Sequence, residues 1–168
     1  MVPRAVFVFL TVLLPALALA GGAAAQGSRI QLGQSLNLSE RELEVTAEML
    51  EVDQTSGASM FSGNVLVMQG EMRITAERLR IEYTPAAEGE RQRIDRLVAE
   101  GGVTMVTPAE AVEGASAIYS LREQTLELRG DVVLVQGQNV LSGQHLQVNL
   151  RNGTGQISGR VRTIIQLD

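Results

Sequence analysis

The strongest constraint on this chain is a sequence unit that recurs four times and ends each time on a glycine before a short valine-rich stretch. The four glycines are Gly63, Gly101, Gly130 and Gly159, so the intervals between them are 38, 29 and 29 residues. A fixed period predicts one supersecondary unit stacked on copies of itself, each burying surface that a single copy cannot bury. The second copy is longer, and its extra residues around 84–91 predict a loop.

Apolar residues alternate with polar ones inside each unit, as at Leu79, Ile81 and Tyr83. This period of two predicts β-strands. Turn-forming residues interrupt the alternation at 55–57, 84–93, 122–124 and 151–153. Each unit is therefore predicted as strand, turn, strand, glycine corner and strand, with strands of four to seven residues. The resulting expectation is an all-β, mostly antiparallel sandwich or flattened roll, with a parallel β-helix as the alternative.

The first 25 residues carry a single charge, Arg4, followed by an apolar stretch that ends in three alanines. This pattern predicts a secretory signal peptide over residues 1–25. A retained membrane anchor is the alternative, because the uncharged stretch is about long enough to cross a bilayer, roughly 20 residues. Residues 26–41 are then expected to form a flexible N-terminal segment, and residues 42–168 the repeat domain.

Composition excludes several classes of function. Beyond residue 25 the chain has 19 acidic residues against 13 arginines, a net charge of minus six, which argues against a nucleic-acid partner. The chain has no cysteine and one histidine, His145, with no nucleophile or oriented partner at a catalytic spacing. No calcium-type carboxylate loop and no phosphate-binding glycine loop occurs. The expectation is a protein that is not an enzyme and that needs no metal and no cofactor.

Several stretches together resemble the OstA/LptA family of periplasmic lipopolysaccharide-transport proteins. They are residues 46–53 (TAEMLEVD), 61–70 (FSGNVLVMQG), 72–79 (MRITAERL), 94–101 (IDRLVAEG) and 130–137 (GDVVLVQG). The resemblance covers roughly residues 42–165 and rests on the order of the motifs. The first corner has Asn64 after its glycine, whereas the second has Gly102 and the fourth Arg160.

The resemblance implies a twisted antiparallel β-jellyroll with an open apolar groove that binds the acyl chains of lipid A. It also implies a periplasmic location and head-to-tail stacking by edge strands. The implied partners are lipopolysaccharide, the periplasmic partner of an inner-membrane transporter, and the N-terminal domain of an outer-membrane translocon. Two alternatives stay open: the periplasmic domain of the membrane-anchored transporter partner, and a structural β-repeat protein whose core is closed and holds no lipid.

The alternating apolar positions are the candidates for the groove lining. They are Leu50, Val52, Val65, Val67, Leu79, Ile81, Val103, Met105, Tyr119, Val132, Leu134, Leu146 and Val148. Open strand edges invite strand addition from another chain. The first and last strands of the repeat domain are the candidate edges for such assembly, with Leu43, Val45, Val161, Thr163 and Ile165 as the residues concerned.

Overall fold

Eleven β-strands form one antiparallel sheet in the part of the chain that the computed structural model describes, residues 29–31, 42–85 and 92–166. The strands are β1 (Arg29–Gln31), β2 (Glu44–Thr46), β3 (Met49–Val52), β4 (Ser59–Gln69), β5 (Met72–Tyr83), β6 (Ile94–Val106), β7 (Glu110–Ser120), β8 (Thr125–Gln136), β9 (Asn139–Asn149), β10 (Thr154–Ser158) and β11 (Arg162–Ile164). The predicted all-β antiparallel fold is therefore confirmed, and no helix among the described residues could cross a membrane.

From β4 to β10 each strand pairs with the next in sequence, so the sheet is a meander of hairpins. At one end of the sheet, β2 and β3 both pair with β4, and at the other β10 and β11 both pair with β9. Three of the predicted turns, at 55–57, 122–124 and 151–153, are present, whereas the hairpin connections at 70–71, 107–109 and 137–138 were not predicted. At the turn over 55–57, the carboxylate of Asp53 accepts hydrogen bonds from the Thr55 amide and the Ser56 hydroxyl. These two bonds, that of Ser56 being the larger cause, lower the pKa of Asp53.

The central strands are longer than the sequence pattern predicted. Strands β4 to β9 have 11 to 13 residues instead of four to seven. In β5 the buried positions are Met72 and Ile74, then Leu79 and Ile81, so the alternation changes phase in mid-strand. A strand whose alternation changes phase looks in the sequence like two short strands, although β5 is a single strand.

The phase changes lie opposite Gly63, Gly101 and Gly130, which are β-bulges inside strands and not boundaries between them. The fourth repeated glycine, Gly159, lies between β10 and β11 and does separate two strands. Between the pairs Ser62↔Arg78 and Val65↔Ala76, two residues of β4 face the single residue Glu77 of β5. The same two-against-one register recurs where Gly101 and Gly102 face β7, and where Gly130 and Asp131 face β9. A bulge bends its strand and increases the local twist. Bulges aligned across neighbouring strands therefore bend the whole sheet along one line, here called the crease.

The crease divides the sheet into two walls that face each other across an interior. The first wall comprises residues 44–46, 65–75, 103–113, 132–142 and 162–164, and the second wall residues 49–62, 78–83, 94–100, 116–129 and 145–158. Buried side chains of both walls belong to one core cluster, with Leu134 of the first wall and Leu128 of the second among them. The molecule is a trough whose long axis runs across the strands, and its two ends are the two edges of the sheet.

Charged residues lie mainly on the outer face of the trough. Cross-strand ion pairs join Arg78 to Glu100 and Arg96 to Glu82 there, at 3.6 and 2.8 Å. These pairs are partly exposed to solvent, where one pair contributes about 0–1 kcal/mol to stability. The stability of the fold therefore rests on its apolar interior.

Part of the segment expected to be flexible, residues 26–41, is a strand. Arg29–Gln31 forms β1, which pairs with β10 at the opposite end of the sheet from β2. The predicted signal peptide, residues 1–25, lies outside the described residues. The loop of the second copy joins β5 to β6, and the Thr84 amide donates a hydrogen bond to the Arg93 carbonyl across its base.

Candidate functional site

The interior of the trough contains most of the residues that the sequence nominated as a groove lining. Eleven of the thirteen are buried: Val65, Val67, Leu79, Ile81, Val103, Met105, Tyr119, Val132, Leu134, Leu146 and Val148. They lie on both walls and belong to one apolar cluster. In the structure as it stands they form a packed core, and the role of these residues as a lipid lining stays a prediction.

Leu50 and Val52 differ from the other eleven because they lie in β3, at one end of the trough. Their side chains are 54% and 59% exposed. The register pairs Leu50 with Phe61, which pairs with buried Leu79, so Leu50 belongs to an inward-facing row. Side chains on one face of a sheet share such a row. The two residues are thus on the inner face but uncovered, because the sheet ends there.

The space between the walls is small in the part of the interior around Leu134 and Leu146, which described residues line. Met105, Val112 and Leu134 of the first wall, and Leu126, Leu146 and Val148 of the second, line a cavity of about 20 Å³. That volume holds about one water molecule, whereas ligand pockets measure roughly 300–1,000 Å³. An acyl chain could therefore enter only if the walls moved apart.

Tyr119 has the one phenol among the predicted lining residues, and it is buried against the core. Burial raises the pKa of Tyr119 to about 12, because the apolar interior disfavours the phenolate. The side chain is neutral at every physiological pH, so Tyr119 presents an apolar ring to the interior together with a hydroxyl that can hydrogen-bond.

Both ends of the trough expose apolar side chains. At the first end these are Met49, Leu50 and Val52, and at the other Val161, Ile164 and Ile165. The predicted edge residues lie at these ends: Leu43 and Val45 in and beside β2, and Val161, Thr163 and Ile165 in and beside β11. Their part in assembly is a prediction that the isolated chain does not test.

The two ends differ in charge. Exposed acidic side chains line the first end, namely Glu42, Glu44, Glu48, Glu51 and Asp53. The opposite end exposes Arg160 and Arg162 beside and within β11. Opposite charges at opposite ends favour contact between unlike ends of two copies over contact between like ends.

The side of the trough opposite the crease, where the two walls end in turns, is here called the mouth. The first wall carries inward-facing polar residues at the mouth that were not predicted from the sequence. Gln69 ends β4, Glu110 begins β7 and Gln136 ends β8. Gln69 is buried, Glu110 and Gln136 are half-buried, and the Gln136 amide donates a hydrogen bond of 3.1 Å to a Glu110 carboxylate oxygen. Counting alternate residues from Val67, Val112 and Leu134 could have found all three, since each lies two residues from a buried core position.

His145 is a strand residue, as predicted, and not part of a catalytic group. Its Nε2 lies 2.7 Å from a carboxylate oxygen of Glu127 in the neighbouring strand. Partial burial opposes ionisation of Glu127, but hydrogen bonds from Arg129 and His145 outweigh it and lower the pKa of Glu127. Among the described residues no cluster of acidic or histidine side chains could hold a metal ion.

Comparison with protein families finds a match over residues 44–154. The matching family is described as "LptA/(LptD N-terminal domain) LPS transport protein". The match begins at β2 and ends at the start of β10, so it covers both walls and the crease.

Two similar proteins are a curated relative and a solved structure. An uncharacterised protein of Rhizobium meliloti (strain 1021) is 32% identical over 158 residues, which cover 89% of this chain and 83% of that protein. The crystal structure of LptH, described as the LptA homologous periplasmic component of the lipopolysaccharide transport device of Pseudomonas aeruginosa, superposes with a TM-score of 0.67. It is 15% identical and covers 76% of this chain and 97% of its own, a likeness that establishes the fold.

Proposed function

The chain belongs to the family of LptA and LptD N-terminal-domain lipopolysaccharide transport proteins, and from this we propose that it is a periplasmic carrier that holds the acyl chains of lipid A between its two walls. Membership confirms the resemblance drawn from the sequence motifs. The family consists of transport proteins, so the chain is not an enzyme. The sequence predicted this, because it contains no recognisable catalytic pattern. Its β-jellyroll is the fold that LptH shares.

The observation that carries the proposal is a bent sheet whose two walls share one apolar cluster and whose inner face is uncovered at one end, where Leu50 and Val52 are exposed. Burying one methylene contributes about 0.8 kcal/mol, so one 12-carbon chain gains on the order of 10 kcal/mol over water. Part of this gain is offset by parting the walls, since their present contacts leave only about 20 Å³. Net binding is then strong enough to hold lipid and weak enough to pass it on.

The two ends of the trough support the proposal that copies stack head to tail. Each end is an open strand edge with exposed apolar side chains, and the charges at the two ends are opposite. Pairing β2 of one copy with β11 of the next, both of which belong to the first wall, would bring the inner faces of both copies into line. An apolar path through several copies would result, along which lipid crosses an aqueous space.

Such a stack would connect an inner-membrane transporter with an outer-membrane translocon. Its end partners would be the periplasmic domain of the transporter's membrane-anchored partner and the N-terminal domain of the translocon, each docking by an edge strand. The family also includes an LptD N-terminal domain, so it contains a second protein with this fold. Energy for directed flow must come from the transporter, because the chain has no catalytic group.

The proposal is tested by comparing two aspartate substitutions in β3. Val52→Asp adds a charge to the inner face at the open end, whereas Met49→Asp adds one at a side chain of similar exposure on the outer face. We expect Val52→Asp to lower the binding of labelled lipopolysaccharide to dilute monomer about tenfold or more, since a buried unpaired charge is costly. Met49→Asp should bind as the unaltered protein does. Equal binding by both variants would contradict a lipid site between the walls.

A further inference from the structure

The two walls differ chemically where they end at the mouth of the trough, and each of these wall ends is here called a lip. The lip of the first wall carries Gln69, Glu110 and Gln136 on its inner face, here called the polar rim. The register pairs Glu110 directly with Gln136, and Glu110 is two residues from buried Val112, so both rim residues face inward with the core. The polar rim thus lies directly above the apolar interior.

On the second wall the corresponding inward positions are apolar. Half-buried Tyr83, Ile94, Leu121 and Leu150 pack against the core there. The turns that end this wall carry the exposed arginines Arg122 and Arg151. Arg151 donates hydrogen bonds to the Arg122 carbonyl and the Gln124 side chain, while Arg122 lies 3.3 Å from Asp95. An object in the mouth therefore meets the Glu110 carboxylate and two amides on one side. On the other side it meets apolar side chains, beyond which lie Arg122 and Arg151 of the turns together with Asp95 and Glu123.

Glu110 is held in place by the turn that precedes it. The Thr107 hydroxyl accepts a hydrogen bond of 3.1 Å from the Glu110 amide, and the Thr107 amide donates one of 2.8 Å to the Glu110 carbonyl. Thr107 and Glu110 line the same small cavity as the apolar residues of both walls. An apolar pocket with a few convergent polar groups is the usual form of a ligand site. Here the polar groups lie at the outer edge of the pocket.

We propose that the polar rim binds the uncharged hydroxyl and amide groups of the lipid's sugar head group and turns its anionic groups toward the opposite lip. The inference rests on the proposed lipid-carrier function and adds the orientation of the lipid to it. A carboxylate only accepts hydrogen bonds, and it forms strong ones with hydroxyl and N–H donors. The same carboxylate repels a phosphate, whereas the glutamine amides can both donate and accept.

When the walls separate, hydrogen bonds within the polar rim can be replaced by hydrogen bonds to the lipid head group, so no buried polar group is left unpaired. The Gln136 amide and Glu110 carboxylate bond each other at 3.1 Å in the closed trough. When an acyl chain enters, head-group hydroxyls can replace or extend that bond, so the polar groups stay satisfied. The rim then selects the face of the head group that enters the mouth, while the walls hold the chains.

Two amphiphiles with the same tail test the rim: dodecyl maltoside, which has a neutral sugar head, and dodecyl phosphate. Both are titrated calorimetrically into the protein below their micelle concentrations. The unaltered protein should bind the maltoside more tightly. Glu110→Gln should tighten the binding of dodecyl phosphate about tenfold, the lower end of what removing one neighbouring like charge does, while changing maltoside affinity little. Gln136→Leu should weaken maltoside binding and leave dodecyl phosphate unchanged.

Glu113→Gln is the matched control, since it removes the same charge from the same strand at an exposed outward position. If Glu110→Gln and Glu113→Gln tighten phosphate binding equally, net charge alone is responsible and the rim proposal is wrong. If both amphiphiles bind equally and no rim variant changes their ratio, the rim proposal fails while the carrier function stands. If neither binds the unaltered, folded protein, the carrier function fails and the rim proposal with it.

Discussion

At each corner of the crease, the glycine and the residue after it meet different constraints. Gly101 has a φ of +87°, and a Cβ built on it would lie 2.6 Å from the Cβ of Glu77. Gly102 has a φ of +76°, but a Cβ there would meet nothing within 4 Å. The position after the glycine holds Asn64, Asp131 and Arg160 in the other copies, at φ values of 46°, 45° and 49°. The variation at this position noted in the sequence thus leaves the corner geometry the same.

We therefore expect Gly101→Ala to destabilise the fold much more than substitutions at Gly102. The left-handed backbone costs a side chain about 1–2 kcal/mol, and overpacking against Glu77 adds about 1–3 kcal/mol. Gly102→Asn should change the free energy of unfolding by less than about 1 kcal/mol, since asparagine tolerates this conformation. Urea unfolding followed by circular dichroism measures both variants. Equal losses at the two positions would show that close approach to Glu77 does not matter.

Burial of Tyr119 predicts a loss of stability in alkaline solution. Its pKa is about 12 in the folded protein against 10.0 for an unperturbed tyrosine, so between these values only the unfolded chain loses the proton. Stability is then unaffected below pH 10 and falls as pH rises toward 12, by up to about 1.4 kcal/mol per pH unit.

Tyr119→Phe removes this group and keeps the ring in the core. The difference in unfolding free energy between the unaltered protein and Tyr119→Phe should therefore be constant up to about pH 10 and change above it in favour of the phenylalanine variant. Parallel pH profiles for the two proteins would mean that the Tyr119 hydroxyl is not buried in the folded state.

The most consequential short strand is β1, because it occupies an edge that a second copy could use. Arg29–Gln31 pairs with Gln156, Gly155 and Thr154 of β10, whereas β11 keeps an open edge. If a second copy is to pair with both walls at this end, β1 must first dissociate from β10, or the second copy must pair with β1 itself. A three-residue pairing is a weak obstacle, since two-stranded pairing has little stability of its own in water.

Deleting residues 26–41 from the exported chain should therefore strengthen self-association, as measured by analytical ultracentrifugation over a concentration series. The family-matched region, residues 44–154, stays intact in this variant. Deleting residues 161–168 should act in the opposite direction, because it removes β11 and its exposed apolar side chains and leaves a folded monomer. Unchanged association in the first variant would contradict the capping role of β1, and unchanged association in the second would contradict the edge assignment.

Sequence reasoning identified the elements better than their lengths. The turns at 55–57, 122–124 and 151–153 were located by residue type, whereas the hairpin connections at 70–71, 107–109 and 137–138 were not predicted. The long strands were missed because the alternation changes phase at the crease, as between Ile74 and Leu79. The polar rim was missed because polar residues near turns are normally exposed, although Gln69, Glu110 and Gln136 continue the alternation of the core.

At the scale of the whole molecule, a single interior must serve as both the hydrophobic core and the lipid site. The bent sheet has a single apolar cluster shared by its walls, which accounts for the stability of a chain without disulfides. The same cluster must part to admit an acyl chain, since the present cavity is about 20 Å³. A structural protein with a permanently closed core would have the same sheet, the same crease and the same ends, so only occupancy of the interior distinguishes the two.

Site-specific photocrosslinking to lipopolysaccharide in cells tests that occupancy most directly, with the photoreactive residue placed at Leu50 in one variant and at Glu51 in another. The two positions are adjacent in β3 and both exposed, but Leu50 belongs to the inner face and Glu51 to the outer. If lipid is carried between the walls, we expect a lipopolysaccharide adduct at Leu50 and little or none at Glu51. Equal adducts at both positions, or none at Leu50 in a folded and exported protein, would contradict the claim that lipid is carried between the walls.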